Sequence, residues 1–493
     1  MQLIERIKTL SRISPECPAL CGEGSRYGYG SLLEAVEETA RALEKSTVSV
    51  LGLYADNGPG WLVVDLACQV AGITLVPLPL FFSQQQLTHT INASGMQALL
   101  TDACERFTPL DDVGRAQGDI AGLVLIEIPD PQLVPIPPQT GKITFTSGST
   151  GTPRGVCLST ETQFSTGNAL AQQLERLGCQ RHLCLLPLAT LLENVAGAYT
   201  SWLLGGSVLV PALARVGLSG SSHLDRAQLC RCIDEHQPHT LILLPQILKA
   251  LVERMQQKAW QPPRSLRFVA VGGGKVAAGL LLQARTLGLP VYEGYGLSEC
   301  GSVVALNLPG ADRPGAAGRP LPHCEVAVQE GEVMVRGPRY LGYLDRRDET
   351  RDWLATGDLG EMDREGYLKI TGRKKNMFVS SFGRNISPEW IESEILLEPM
   401  VMQCVVVGDE RPYCCALIFP RPGTESEQVD HWLATVNRRM PDYAQVRRWA
   451  VLPAPLSFDD GLLTANGRPR RDLIAECCRH AIENLYQDTG DSQ

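Results

Sequence analysis

The chain has 493 residues, 54 acidic against 45 basic side chains, a formal net charge of -9 and 44% hydrophobic residues. That length can bury a sizeable core and calls for more than one domain, and the acidic balance argues for solubility and against a nucleic-acid footprint. The opening Met1-Gln2-Leu3-Ile4-Glu5-Arg6 has no apolar core of signal-peptide length, and no later apolar run approaches the ~20 residues of a membrane helix, so a cytoplasmic protein without a transmembrane segment is expected. The 16 cysteines are scattered through apolar segments without C-x-x-C modules, which favours buried free thiols. Cys414 and Cys415, if on a strand, point to opposite faces and make poor joint ligands.

In chain order, Ser31-Leu32-Leu33-Glu34 has the S-x-x-E form of a capping box and predicts a helix starting there. An apolar run at 48–53, a turn at Asn57-Gly58-Pro59-Gly60, a helix over 61–70 and a second apolar run at 73–77 give β-α-β rhythm. A helix over 83–92 and strands at 98–100 and 123–128 follow, then a proline-rich extended approach to Lys142. From Lys142 an alternating stretch runs into Thr146-Ser147-Gly148-Ser149-Thr150-Gly151-Thr152-Pro153-Arg154-Gly155. Unshielded backbone N–H groups, hydroxyls and Arg154 suit a phosphate, although a bare Ser/Gly turn has the same composition. The Walker spacing is absent, because Pro153 and Arg154 stand where Gly and Lys would be needed after Gly148.

The second series predicts strands at 183–187, 207–210, 240–244, 266–271 and 291–292, with helices over 189–204, from 246 and up to 287. Such alternation implies α/β architecture: parallel sheets flanked by helices. At 324–336 two short alternating runs flank Glu330-Gly331, which predicts a hairpin in a small β subdomain. The rest, with strands at 401–407 and 413–419 and helices near 388–397 and 471–485, has the size of a compact α+β domain.

The loop closely resembles the T-S-G-S-T-G-x-P-[KR]-G nucleotide loop of the adenylate-forming superfamily, which includes acyl-CoA synthetases, luciferases and nonribosomal adenylation domains. Further motifs follow in that family's order. Tyr295-Gly296-Leu297-Ser298-Glu299 resembles its Y-G-x-[TS]-E, Thr356-Gly357-Asp358 its T-G-D, and Leu463-Thr464-Ala465-Asn466-Gly467-Arg468 its L-T-x-x-G-K. The resemblance implies a large N-terminal domain, 1–373, of two parallel-type βα sheets plus a small β-barrel subdomain, then a small mobile α+β domain, 374–493. It implies ATP and Mg2+ as cofactors and CoA or phosphopantetheine as acyl acceptor. Thr146, Ser147, Gly148, Ser149, Thr150, Gly151 and Arg154 would hold phosphate, Gly273 and Gly274 adenine, and Asp358 and Arg373 ribose. Tyr295 would stack on the base beside Gly296, Ser298 would contact the α-phosphate, and Glu299 would hold magnesium, with Glu193 as a second metal contact. Lys375 falls at the family's hinge and Gly383 in the loop that admits the pantetheine arm.

Two departures stand out: Arg468 occupies the position of the catalytic lysine, and Arg154 replaces the phosphate-loop lysine. Each keeps a positive charge, but a planar fork is not an ammonium. Leu185-Leu186-Pro187-Leu188-Ala189-Thr190-Leu191-Leu192-Glu193 resembles the L-P-L-A-H-x-x-E of the fatty acyl branch, with Thr190 in place of histidine, and 191–199 offers no aspartate for an amino acid's ammonium. The expected reaction is ATP-dependent activation of a carboxylic acid, with a fatty acid favoured, to acyl-AMP and pyrophosphate. Transfer to the thiol of CoA or acyl carrier protein follows. The alternative is an attenuated or non-catalytic homologue that binds nucleotide or acyl-adenylate.

Overall fold

The computed structural model describes residues 2–102, 116–147, 153–219, 223–344, 346–347, 352–457, 460–464 and 467–487. Two nine-stranded sheets dominate the first three quarters of the chain. In one, Val50–Tyr54 lies between Thr74–Pro77 and Ala98–Thr101, and Thr74–Pro77 also pairs with Thr140–Ser147, all parallel. In the other, Ser207–Leu209, Arg181–Leu183, Thr240–Leu243, Phe268–Val271 and Val291–Leu297 follow one another in parallel. Val50–Tyr54, Thr74–Pro77, Ala98–Thr101 and Thr240–Leu243 are buried on both faces, as crossover helices require. The edges differ from the parallel expectation. Leu123–Glu127 runs antiparallel to Ala98–Thr101, and Ser302–Leu306 folds back on Val291–Leu297. The sheets share a core, in which Leu51 and Leu53 of the first join Leu20 and Val208 of the second around Trp61 and Trp202.

Two helices depart from their predicted form. The helix expected to begin at Ser31 spans Tyr29–Lys45 with Gly28 as its N-cap, so Ser31 is an N3 residue whose hydroxyl accepts from the Gly28 N–H at 3.1 Å. The helix expected over 189–204 is α only at Leu191–Glu193 and Thr200–Leu203, with a π segment at Asn194–Tyr199. The amphipathic helix Gln2–Ile13, which buries Leu3, Ile4 and Ile7, and the Ser159-capped helix Thr160–Leu174 add to the predicted set.

The hairpin Glu325–Gln329/Glu332–Arg336 turns at Glu330 and Gly331, both at positive φ, as a two-residue hairpin turn demands. With Leu354–Met362 and Leu368–Arg373 it makes a four-stranded antiparallel sheet, the small β subdomain that the hairpin pattern predicts.

In the C-terminal part, Cys414–Pro420 pairs antiparallel with Val401–Val407 and parallel with Val446–Val451. Its alternation separates two cores: Cys414, Ala416 and Ile418 pack toward Pro388–Ile395 and Ser426–Asn437, and Cys415 and Leu417 toward the last helices. The adjacent cysteines therefore face opposite sides, as the strand geometry predicts. The described cysteines are free thiols, most of them buried. The helix expected over 471–485 is broken at Cys478 into Arg471–Cys477 and Arg479–Tyr486. Among the described residues no helix is long and apolar enough to cross a membrane.

Candidate active site

A cleft of about 1290 Å³ lies at the carboxyl ends of the second sheet's strands, roofed by the antiparallel sheet and the C-terminal part. Such crevices are where open α/β sheets take ligands. The strand Val291–Leu297 carries most of the chemistry. Its pairing with Ser302–Leu306 shifts register at Gly296, where a Cβ would stand 1.7 Å from the Ser302 carbonyl oxygen, so only glycine fits that crossing. The bulge turns Tyr295 toward Asp358, whose Oδ2 accepts from the tyrosine hydroxyl at 2.8 Å. Arg373, directly opposite Asp358 in the antiparallel pair, lies 2.8 Å from Oδ1 through its Nε. A buried carboxylate, a phenol and a guanidinium thus form one corner of the cleft.

At the phosphate end, Thr146 pairs with Arg154 across the hairpin of Thr140–Ser147 and Pro153–Ser159. Gly148, Ser149, Thr150 and Gly151 lie outside the described residues, as does the side chain of Ser147. Arg154 stacks on the Tyr343 ring, 3.9 Å from its centroid, and the Tyr343 hydroxyl donates to Glu299 Oε1 at 2.8 Å. Burial, followed by the neighbouring Glu299 carboxylate, holds the Tyr343 proton in place by raising its pKa. The loop cation and the acid expected to hold magnesium are therefore joined through Tyr343, a residue no motif marks. Ser298 opens the short helical turn Ser298–Cys300 and faces the same cleft.

Glu293 is a second residue that motif reasoning missed. It is buried, borders the cleft, and its Oε2 has no hydrogen-bond partner among the described residues. Burial pushes its carboxyl up to about 7 against the opposing pull of Lys275. An acid at the end of an otherwise apolar parallel strand was the signal available in sequence. Gly273 and Gly274 follow the neighbouring strand Phe268–Val271 and line the cleft.

Glu193, expected as a second metal contact, is absent from the lining of the cleft. Its side chain is fully buried, with Oε1 2.6 Å from His182 Nε2 and Oε2 accepting from the N–H groups of Leu185 and Leu186 at 3.2 and 2.8 Å. These donors fix Glu193 inside the wall of the cleft, where with His182 and Cys184 it forms a buried group of the kind that could hold a metal ion.

Arg468 comes from the other part of the chain. Thr464 and Arg468 close a tight loop, N–H to carbonyl at 2.7 Å, that projects the guanidinium onto the Gly273 carbonyl through both Nε, at 3.2 Å, and Nη2. The side chain is open to the cleft yet crowded by protein, and lost solvation followed by repulsion from Arg373 lowers its proton affinity. A guanidinium nevertheless stays charged. Lys375 lies in the turn after Arg373 and also lines the cleft. Gly383 does not: it sits at positive φ in the turn 380–384 beside the exposed Phe382, away from the cleft lining. Arg471 pairs with the buried Glu392 at 2.6 Å.

The family description "AMP-binding enzyme" matches residues 10–344, and "AMP-binding enzyme C-terminal domain" matches 375–490. The chain belongs to the AMP-binding enzyme family. It is an adenylate-forming enzyme of the acid–thiol ligase class. Among relatives of this AMP-binding enzyme, the 2-succinylbenzoate–CoA ligase of Bacillus velezensis is 28% identical, covering 82% of this chain and 84% of its own. Long-chain-fatty-acid–CoA ligase 1 of Cavia porcellus is 24% identical over 90% of this chain and 79% of its own. The fold matches the solved O-succinylbenzoate coenzyme A synthetase of Bacillus subtilis in complex with ATP and magnesium ion, with TM-score 0.75 and 22% identity, covering 95% and 98% of the two chains. That last likeness speaks for the architecture of an AMP-binding enzyme alone.

Proposed function

We propose that the chain activates a fatty acid with ATP, forming acyl-AMP and pyrophosphate, and then passes the acyl group to the pantetheine thiol of CoA or acyl carrier protein. The observation that carries the choice of acid is the inner part of the cleft, bounded by Leu170, Leu174, Leu204, Phe268 and Leu306. Each methylene buried there contributes about 0.8 kcal/mol, whereas a second carboxylate such as that of succinylbenzoate would be desolvated against hydrocarbon.

The donor set suits a magnesium nucleotide. Asp358 and Arg373 would hold the ribose, with Tyr295 stacked on the base beside Gly273, Gly274 and Gly296. Thr146, Ser147, Gly148, Ser149, Thr150, Gly151 and Arg154 would cradle phosphate, with Ser298 at the α-phosphate. Glu293, with its unpartnered oxygen, adds an acceptor for a ligand N–H. Glu299 offers carboxylate oxygen, the ligand type magnesium takes, and the ion when bound neutralises charge as pyrophosphate leaves. Arg468 would hold the carboxylate and α-phosphate together by charge.

We further propose a domain boundary between 373 and 374 with Lys375 as hinge, a reading supported by Arg468 facing the cleft while Gly383 faces away from it. A rotation there would exchange the two for the thiol-transfer step. Pyrophosphate–ATP exchange across saturated acids of increasing length tests the first step. Exchange should rise with chain length and exceed that with succinylbenzoate; equal or greater exchange with the dicarboxylate would remove the fatty-acid assignment.

A second reading, an attenuated binder of nucleotide or acyl-adenylate, is favoured by the engagement of the Arg468 fork on the Gly273 carbonyl. An Arg468→Lys variant separates the two. A large gain in exchange marks arginine as a defect, and unchanged turnover marks it as a working substitute.

A further inference from the structure

Lys142 is the only lysine among the largest fully buried side chains of the described residues, and nothing in the nucleotide site uses it. Its ammonium lies 2.8 Å from Asp65 Oδ1 and donates to Asn194 Oδ1 at 2.6 Å and to the Tyr199 hydroxyl at 3.1 Å. Asp65 Oδ2 in turn accepts from Asn194 Nδ2 at 2.9 Å and from the Tyr199 hydroxyl at 2.7 Å. Lys142 is 2% exposed, and Asp65, Asn194 and Tyr199 are each 1% exposed. Burial of such an ion pair adds little stability over packed hydrocarbon, so its use lies in the geometry it imposes.

It joins the strand that leads into the phosphate-loop sequence to a wall of the cleft. Lys142 sits on Thr140–Ser147, which leads into the phosphate loop. Asn194 and Tyr199 are the ends of the π segment, whose Ala196 and Gly197 line the cleft. In an α-helix, residues five apart point about 140° away from each other. The wider π turn brings both side chains to one ammonium. The opposite side of the segment is pinned as well, since Gly197 lies against the His182–Glu193 pair so closely that a Cβ would stand 2.3 Å from His182 Nε2.

We propose that Lys142 and Asp65 are positioning residues that set the register between the phosphate loop and the π-helical wall of the acid chamber, and so the approach of carboxylate to α-phosphate. The step they serve is the family's adenylation, and the wall's part in it rests on the acid chamber proposed above.

The test compares the full-length wild type with the double variant Lys142→Met/Asp65→Leu, which removes both charges, beside Asp65→Asn. Pyrophosphate exchange should show kcat reduced at least about tenfold, with a flattened acid-length preference and KM for ATP within about twofold, since misplacement near 1 Å costs up to about a hundredfold. A purely structural pair would lower the melting temperature and leave the kcat of the folded enzyme and its acid preference unchanged, which overturns the proposal. Hydrogen exchange supplies a readout independent of which acid is used. Adding ATP should slow exchange of amides in 191–203 in the wild type but not in the double variant. Absence of that effect in the wild type overturns the coupling even if fatty acids are turned over, whereas its presence with no fatty acid activated overturns only the substrate assignment.

Discussion

At the scale of single residues, charge delivery decides the chemistry. Arg468 reaches the cleft as a fork resting on a carbonyl of the glycine-rich turn, 3.2 Å away through Nε, and in the function proposed above its positive charge would offset the repulsion between carboxylate and phosphate. Replacing it with alanine should lower pyrophosphate exchange by about a hundredfold or more, the scale found when one electrostatic donor is removed from a reacting centre, with KM for ATP little changed. Exchange unaffected by Arg468→Ala would show that the arginine takes no part in the reaction. Tyr343 acts one step back, holding Glu299 through a 2.8 Å hydrogen bond while Arg154 covers its ring. Outer-shell partners of metal ligands are worth about 10- to 100-fold in metal affinity. Tyr343→Phe should therefore raise the magnesium concentration for half-maximal activity about tenfold, as read from a magnesium titration, and leave the fold intact.

At the scale of elements, the β-α alternation made the strands and the α/β class legible, and motif order made Tyr295, Asp358 and Arg373 legible as one site. What escaped was set by tertiary partners. The register shift at Gly296 depends on the fold-back strand Ser302–Leu306, and Tyr343 is recruited from a segment nearly 200 residues after Arg154. The π segment escaped because its sequence, Asn-Val-Ala-Gly-Ala-Tyr, has ordinary helical composition; only Lys142 and Asp65, distant in sequence, reveal why the turn widens. The surroundings of Glu193 were hidden for the same reason, since its partner His182 and the N–H groups of Leu185 and Leu186 meet it only in the folded chain. Gly197→Ala should destabilise by about 1–3 kcal/mol through overpacking, because the buried His182–Glu193 pair cannot recede from a Cβ at 2.3 Å and 2.6 Å. Denaturant unfolding would show this as a lower midpoint at constant slope.

At the scale of the molecule, the C-terminal part is held over the cleft by a few polar contacts. Lys249 donates to the carbonyls of Val401 and Glu398 at 3.0 and 3.4 Å, and Arg421 meets Glu253 at 3.3 Å. Burial lowers the Lys249 pKa to about 8, the leading influence, against the attraction of Glu253. The freed lysine would return toward about 10.4. Between those values the docked arrangement holds fewer protons than the separated one, so docking strengthens as pH rises through the window and is weakest below about 8. The neutral amine keeps two N–H groups for its two carbonyls. Cleavage in 374–376 by a probe protease should slow between pH 8 and 10 in the wild type, relative to an unstructured control substrate, and lose that trend in Lys249→Met. A flat or opposite trend in the wild type would count against this docking account.

In the proposed function, one cleft joins a nucleotide site to an apolar acid chamber and serves both half-reactions. Mass spectrometry of products from ATP, Mg2+, a fatty-acid panel and either CoA or acyl carrier protein tests it most directly. AMP, pyrophosphate and one acyl thioester are expected in equal amounts, with the saturated acids preferred; intact ATP and free acid across the whole panel, with folded protein, would rule the function out.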